Sequence, residues 1–292
     1  MGGSTLRESA LLVGGISSSL ACFVSAYNVA VHLVRTRHGS LKAYTVRILL
    51  MVPTYALEAI ASIVWPGAST VLAVFRSCYE AFALFSFVQL MLAYLTLDAP
   101  SQGDGARGAI WLAFDMQNDA SIPHLFPLCC LKPWAMGPEF LRRSLIGVFQ
   151  YTAVMPLVTL LTGVTESFGV YLSKSGNVAD WTMAYPYLSL VQNLSQCWAL
   201  YSLIMFYNAT SSRLKPVRPL AKFLSIKLVV FFTWWQELLI AGLVHEGLIP
   251  ETDLDGDGVK TAEESATLLS NFIICIEMMV MAQGDVTGRG WW

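Results

Sequence analysis

Arg76-Ser77-Cys78-Tyr79-Glu80-Ala81-Phe82 opens onto an apolar run that continues to Leu97. An arginine and a glutamate four residues apart stand at the mouth of that run, neighbours on one face if it is helical. Ionisable side chains are costly in hydrocarbon and persist there mainly when paired or functional. The stretch therefore reads as the entry to a membrane-spanning helix, with Arg76 and Glu80 as a structural ion pair. That reading decides the fold, because the rest of the chain has the same character.

The chain has 292 residues, of which 55% are hydrophobic and 13% charged. Soluble domains carry about 25% charged residues. The mean hydropathy of +0.56 and the 9 tryptophans point the same way. The expected solvent is a lipid bilayer. A formal net charge of −2 gives no reason to expect a nucleic-acid partner.

A spanning helix needs about 20 apolar residues. Seven segments qualify: 10–34, 48–65, 78–97, 146–163, 184–207, 224–244 and 266–282. The first is longer than the apolar core of a secretory signal, and only Arg7 precedes it, so it is expected to be a true span. The expectation is an all-α, polytopic membrane protein, one seven-helix domain over 1–292. Pro53, Pro156 and Pro186 fall in spans, where each removes a backbone donor and can kink its helix.

Lys and Arg placement sets orientation. The first loop holds Arg35, Arg37, Lys42 and Arg47; the third holds Arg107, Lys132, Arg142 and Arg143; the fifth holds Arg213, Lys215, Arg218 and Lys222. The second, fourth and sixth hold only Arg76, Lys174 and Lys260. Odd loops are therefore expected in the cytoplasm, with the amino terminus outside or lumenal and the carboxyl terminus cytoplasmic. The chain is expected to be integral to the plasma membrane or an endomembrane.

The longest connection, 98–145, is then cytoplasmic. Its first half is flexible in composition, and its second half, rich in Pro, Trp, Phe and Leu, suits a membrane surface. It contains Cys129-Cys130. Juxtamembrane cysteines are candidates for reversible palmitoylation; the alternative is two reduced thiols in a folded loop. Six cysteines without a C-x-x-C pair give no support to a zinc or thioredoxin-like site.

The intramembrane polar residues are Glu58, Glu80, Gln150, Gln192, Asn193, Gln196, Gln236, Glu237 and Glu277. Carboxylates at that depth face a bundle interior or a wet cavity. Glu58, Glu80, Gln150, Gln236, Glu237 and Glu277 are candidates for a substrate or ion pathway; the alternative is interhelical hydrogen bonding that fixes packing. Acidic residues suit a cation, a neutral amphipath or proton coupling better than an anionic solute.

An acidic segment, 250–265, sits in the sixth connection. Asp253-Leu254-Asp255-Gly256-Asp257-Gly258-Val259-Lys260-Thr261-Ala262-Glu263-Glu264 matches the calcium loop of an EF-hand at positions 1, 3, 5, 6 and 12. Ca2+ would take carboxylates from Asp253, Asp255 and Asp257, the Val259 carbonyl, Thr261 directly or through water, and a bidentate Glu264. Gly258 permits the sharp turn. Lys260 occupies a position that is usually aliphatic, and no partner hand lies nearby; the alternative is an acidic, solvated turn. A lone hand suits the weak class, with a dissociation constant of about 0.1–1 mM.

Four blocks of sequence, in order, resemble the organic solute transporter alpha-subunit family, whose plant relatives include the Lazarus proteins. They are Val46-Arg47-Ile48-Leu49 with Pro53 and Tyr55-Ala56; Arg76, Cys78-Tyr79-Glu80-Ala81-Phe82; Cys129-Cys130-Leu131, Pro133-Trp134, Met136-Gly137, Phe140-Leu141 and Gln150-Tyr151-Thr152; and Lys222-Phe223-Leu224, Lys227-Leu228-Val229 and Trp235-Gln236. The likeness runs from about Tyr44 to Met281. It implies seven helices and transport of amphipathic organic solutes or lipids. It also implies a possible small single-span partner subunit or a homo-oligomer. The acidic loop and the tail after Met281 depart from the family pattern.

Two other readings compete. A seven-helix receptor lacks its usual strings here: no Asp-Arg-Tyr follows the third span and no Asn-Pro-x-x-Tyr lies in the seventh. A trafficking or signalling membrane protein without transport would use the basic loops and Cys129-Cys130 equally well. An enzyme is not expected, since the 4 histidines form no catalytic pattern with Ser, Cys or Asp.

Overall fold

The computed structural model describes residues 2–35, 39–97, 106–118, 121–124, 128, 130, 132–171, 181–214 and 262–287, with Gln236, Leu239, Ile240, Gly242, Leu243 and Leu248. Among these the ordered structure is helical. In chain order the helices are α1 (Gly2–Arg35), α2 (Gly39–Leu49), α3 (Met51–Val64), α4 (Ser69–Leu95), α5 (Ala106–Asp115), α6 (Pro138–Ser167), α7 (Tyr185–Leu214) and α8 (Ala262–Thr287). Among the described residues an isolated bridge pairs Ile122 with Trp134.

Five helical runs among the described residues are long and apolar enough to cross a bilayer: Arg7–Val34, Leu41–Val64, Val71–Leu95, Pro138–Ser167 and Ser265–Gln283. The 30 residues of α6 rise about 45 Å, against a hydrocarbon layer of about 30 Å. α7 matches it in length, but Gln192, Asn193 and Gln196 make it less apolar. The expected sixth span, 224–244, lies almost wholly outside the described residues.

Element boundaries differ from the sequence expectation in instructive ways. The second span begins at Leu41, because α2 continues into α3. Their break falls at Leu50, where Pro53 has no N–H to offer the Leu49 carbonyl. α3 stops at Trp65, whose ψ of 78° is the non-helical geometry imposed on a residue before proline, here Pro66. α4 then starts at Ser69, so Arg76 lies two turns inside a helix and not at its mouth. Pro186 sits in the first turn of α7, where a missing donor costs nothing.

The chain divides into two compact units. One comprises 1–37, 46–79 and 220–292. Here α1, α3 and α8 pack on one another. α1 turns small residues inward, with Ala10, Gly14, Ser17, Ser18, Ala21 and Ser25 all buried at helical spacing. Small residues let helix backbones approach where lipid offers no hydrophobic drive. The Gly14 position has Cys275 Sγ at 3.6 Å and the Ile60 and Ile63 side chains at 3.7 Å around an ideal Cβ, so α1, α3 and α8 meet there. Leu12, Ile16 and Phe23 of α1 face outward.

The other unit comprises 38–45 and 80–219. Its centre is the α6–α7 pair, which runs antiparallel: Gly147 meets Ser202, and Gln150 meets Ser195. α6 is preceded by Gly137 at its N-cap, whose φ of 112° favours glycine. Outward from the pair, Leu157, Leu160, Leu161, Leu190, Val191 and Leu194 are exposed. Such an apolar surface belongs in lipid rather than water.

Candidate functional site

The sequence-selected polar residues fall into two sets, one in each unit. In the first, Glu58 projects from α3 and is 7% exposed. Ser62, one turn on, donates its hydroxyl to Glu58 Oε1 at 3.2 Å. Arg76 of α4 donates from Nη1 to Glu58 Oε2 at 3.1 Å. The same guanidinium lies 5.8 Å from the centroid of the Tyr55 ring, one turn before Glu58. Thus one face of α3 presents an aromatic ring and a carboxylate to a single arginine, with the Ser62 hydroxyl holding the carboxylate's other oxygen. Tyr79, one turn beyond Arg76, donates its hydroxyl to the Arg47 carbonyl at 2.7 Å and ties α4 to α2.

Two further candidates of this unit lie on or against α8. Gln236 donates to the Ser270 carbonyl at 3.1 Å. Glu277 is half-buried in the middle of α8. Glu237 lies outside the described residues.

In the second unit, Glu80 is 8% exposed and accepts from Gln196 Nε2 of α7 at 3.2 Å. The neighbouring Ser195 donates its hydroxyl to Gln150 Oε1 of α6 at 2.7 Å, and Gln150 Nε2 donates back to the Ser195 carbonyl at 2.8 Å. Thr152 of α6 donates to the Ala81 carbonyl of α4 at 3.1 Å. The result is a polar belt that stitches α4, α6 and α7 at one level. Glu80 and Gln150 belong to it together, through adjacent residues of α7.

The sequence placed Arg76 and Glu80 side by side. The structure adds a partner for each from another helix: the carboxylate of Glu58 for Arg76, and the amide of Gln196 for Glu80. Tyr55, Ser62, Ser195 and Thr152 were not among the pathway candidates, although Tyr55 and Thr152 fall in the blocks that carry the family resemblance. Serine and threonine are ordinary in membrane helices, and only their partners, 4 to 71 residues away, distinguish them.

The remaining candidates are placed as follows. Cys130 is exposed and carries a free thiol, whereas Cys129 lies outside the described residues. Asp253, Asp255, Asp257, Val259 and Thr261 also lie outside them, and α8 begins at Ala262, which puts Glu264 in its first turn. Among the described residues no cluster of three or more His, Cys, Asp or Glu side chains is arranged to hold a metal ion.

The sequence profile described as "Organic solute transporter Ostalpha" matches residues 10–285. Among curated relatives, Protein LAZ1 homolog 1 of Arabidopsis thaliana is 35% identical over 278 residues, covering 93% of this chain and 55% of the relative. Protein LAZ1 of the same plant is 34% identical over 275 residues, covering 92% and 55%. Protein LAZ1 homolog 2 is 33% identical over 297 residues, covering 96% and 68%. The chain thus spans about half the length of the first two. No solved structure matches it.

Proposed function

This chain belongs to the organic solute transporter Ostalpha family, and from that premise we propose that it moves amphipathic organic solutes or lipids across a membrane. It is an integral membrane protein. The observation that carries the proposal is the buried Glu58–Arg76 pair on two candidate spans, backed by Ser62 and Tyr55. Charge kept at such depth marks a pathway for a substrate, an ion or a proton. The pair also eases the mismatch between acidic residues and anionic solutes, because Glu58 is already neutralised by Arg76. A polar solute group that competes for either partner would open the pair and be paid for by it. In the same unit Gln236, Glu237 and Glu277 are proposed to join that pathway; in the other unit Glu80 and Gln150 are proposed to line a polar path of their own.

The proposed topology has seven spans, the sixth at 224–244, with the amino terminus outside or lumenal and the carboxyl terminus cytoplasmic. Five apolar helices and the length of α7 support it. A small single-span subunit or a second copy is a proposed partner. The twelve-residue acidic loop is proposed to bind Ca2+ on the face opposite the basic loops, and Cys129-Cys130 to accept a lipid chain.

Uptake of labelled steroid-like solutes into proteoliposomes, with and without a pH gradient, tests the reading. Flux above protein-free vesicles that falls at least severalfold in Glu58→Gln supports it. Equal flux in Glu58→Gln and the unmodified chain sinks the carboxylate mechanism. No flux of any amphipath favours the alternative, a trafficking or signalling membrane protein.

A further inference from the structure

The outward face of α6 ends in a pair of arginines that the polar sets just described do not use. Arg142, Ile146, Phe149, Leu157 and Leu160 are all exposed and recur at helical spacing, so they share one stripe of the helix. Arg143 lies at the edge of that stripe and is exposed as well. The apolar members suit the acyl chains of lipid. The 30 residues of α6 rise about 45 Å, about 15 Å more than the hydrocarbon layer, which leaves about 7 Å beyond it at each end of a centred helix. Arg142 and Arg143 come about 6–7.5 Å along the axis from Pro138. They therefore fall where hydrocarbon gives way to the phosphate layer.

Two contacts fix the guanidinium of Arg143. Its Nε donates to Glu139 Oε1 at 2.7 Å. Its Cζ lies 5.7 Å from the centre of the Trp134 ring. Trp134 is itself held by edge contacts with the rings of His124 and Phe140, at 4.9 and 6.1 Å, and by the backbone bridge to Ile122. Arg142 donates from Nη2 to Glu139 Oε2 at 3.2 Å. Two guanidinium groups thus share one carboxylate, and the cluster keeps one net positive charge. Arg143 uses Nε and one face of its plane, and among the described residues nothing accepts from its two Nη groups.

A guanidinium edge of that kind matches two oxygens of a phosphate, and holding it in place beforehand lowers the ordering cost of each bond. We propose that Arg143, seconded by Arg142, binds the phosphate of a phospholipid headgroup in the leaflet where α6 begins. Glu139 and Trp134 are positioning residues: one holds the Nε edge, the other supports the plane. The surplus positive charge favours an anionic phospholipid. A free phosphate offers the same oxygens, but only a lipid adds acyl chains, and Ile146 and Phe149 lie along the stripe to receive them. The inference rests on α6 crossing the bilayer and not on what the chain transports.

Thermal unfolding of the full chain in a maltoside detergent tests this. The probe is dihexanoyl phosphatidylglycerol below its critical micelle concentration, with inorganic phosphate in a parallel arm. The lipid should raise Tm, because it binds the folded chain. Arg143→Gln should need at least about fivefold more lipid for half of that rise, and Arg143→Lys, which keeps the charge and loses the planar fork, at least about threefold more. Lys132→Gln removes one exposed positive charge from the preceding segment and should leave the midpoint within about twofold. No rise in the parent chain overturns the proposal, as does an unchanged midpoint in Arg143→Gln or in Arg143→Lys. An equal loss in Lys132→Gln overturns it by assigning the effect to net charge alone. An equal rise with inorganic phosphate overturns it by assigning the site to a free anion.

Discussion

Gly147→Ala should separate α6 from α7. An ideal Cβ at Gly147 overlaps Ser202 Oγ and falls 2.7 Å from Ser202 Cβ. The hydroxyl can rotate away, but no rotation moves the serine Cβ. Reaching an ordinary contact of 3.4 Å from 2.7 Å requires the helices to part by about 0.7 Å at that level. Gln150 and Ser195, about one turn further along the same pair, hold two hydrogen bonds of 2.7 and 2.8 Å that such a shift strains. Overpacking of this kind costs about 1–3 kcal/mol. At about 2–4 °C per kcal/mol, Tm in detergent should drop by several degrees. Ser202→Gly removes both clashing atoms and leaves the new methyl 3.4 Å from Trp198 Nε1. The double variant Gly147→Ala/Ser202→Gly should recover most of the loss, less the cost of about 1 kcal/mol for a helical glycine. A Gly147→Ala chain as stable as the parent, or a double variant worse than either single one, refutes the reasoning.

Arg76→Met should cost about 3–5 kcal/mol by stranding the Glu58 carboxylate, whereas Arg76→Met/Glu58→Leu should regain much of it; chemical denaturation in mixed micelles measures both. In the acidic loop, calcium at tenfold its dissociation constant should stabilise the chain by about 1.4 kcal/mol, and Glu264→Gln should abolish the Tm rise. Burial, then the neighbouring Tyr185, raises the Tyr171 phenol above its usual 10.0. Its stabilisation is therefore complete below the unfolded value and is lost as pH rises through the folded one. Tm of the parent should fall more steeply than that of Tyr171→Phe above about pH 10, and parallel curves would count against that burial.

Hydrophobic run length revealed the membrane class and most span positions, because lipid imposes a minimum helix length that composition alone displays. The start of α4 was not legible. Val71, Leu72, Ala73, Val74 and Phe75 are apolar, yet Arg76 reads as a boundary until its partner is known. Glu58 and the Tyr55 ring allow the arginine inside the helix, and they come from α3. Pairing across helices is a tertiary fact that local pattern does not contain. The same holds for Gln196 with Glu80, 116 residues apart, and for His124 with Tyr201, 77 apart. For Arg76 with Glu58 and for Glu80 with Gln196 the sequence named both members, and only which of them meet was not legible. Pro53 was read as a kink and does mark the α2–α3 break, since a missing N–H acts locally and needs no partner to be felt.

Insertion of a short epitope tag after His38 in one chain and after Pro250 in another, read in intact and in permeabilised cells, tests the central claim most directly. The account places these positions on opposite faces of the membrane: the tag after Pro250 is reached before permeabilisation if the chain is at the cell surface, and the tag after His38 only afterwards. Equal access to both tags from one side contradicts it.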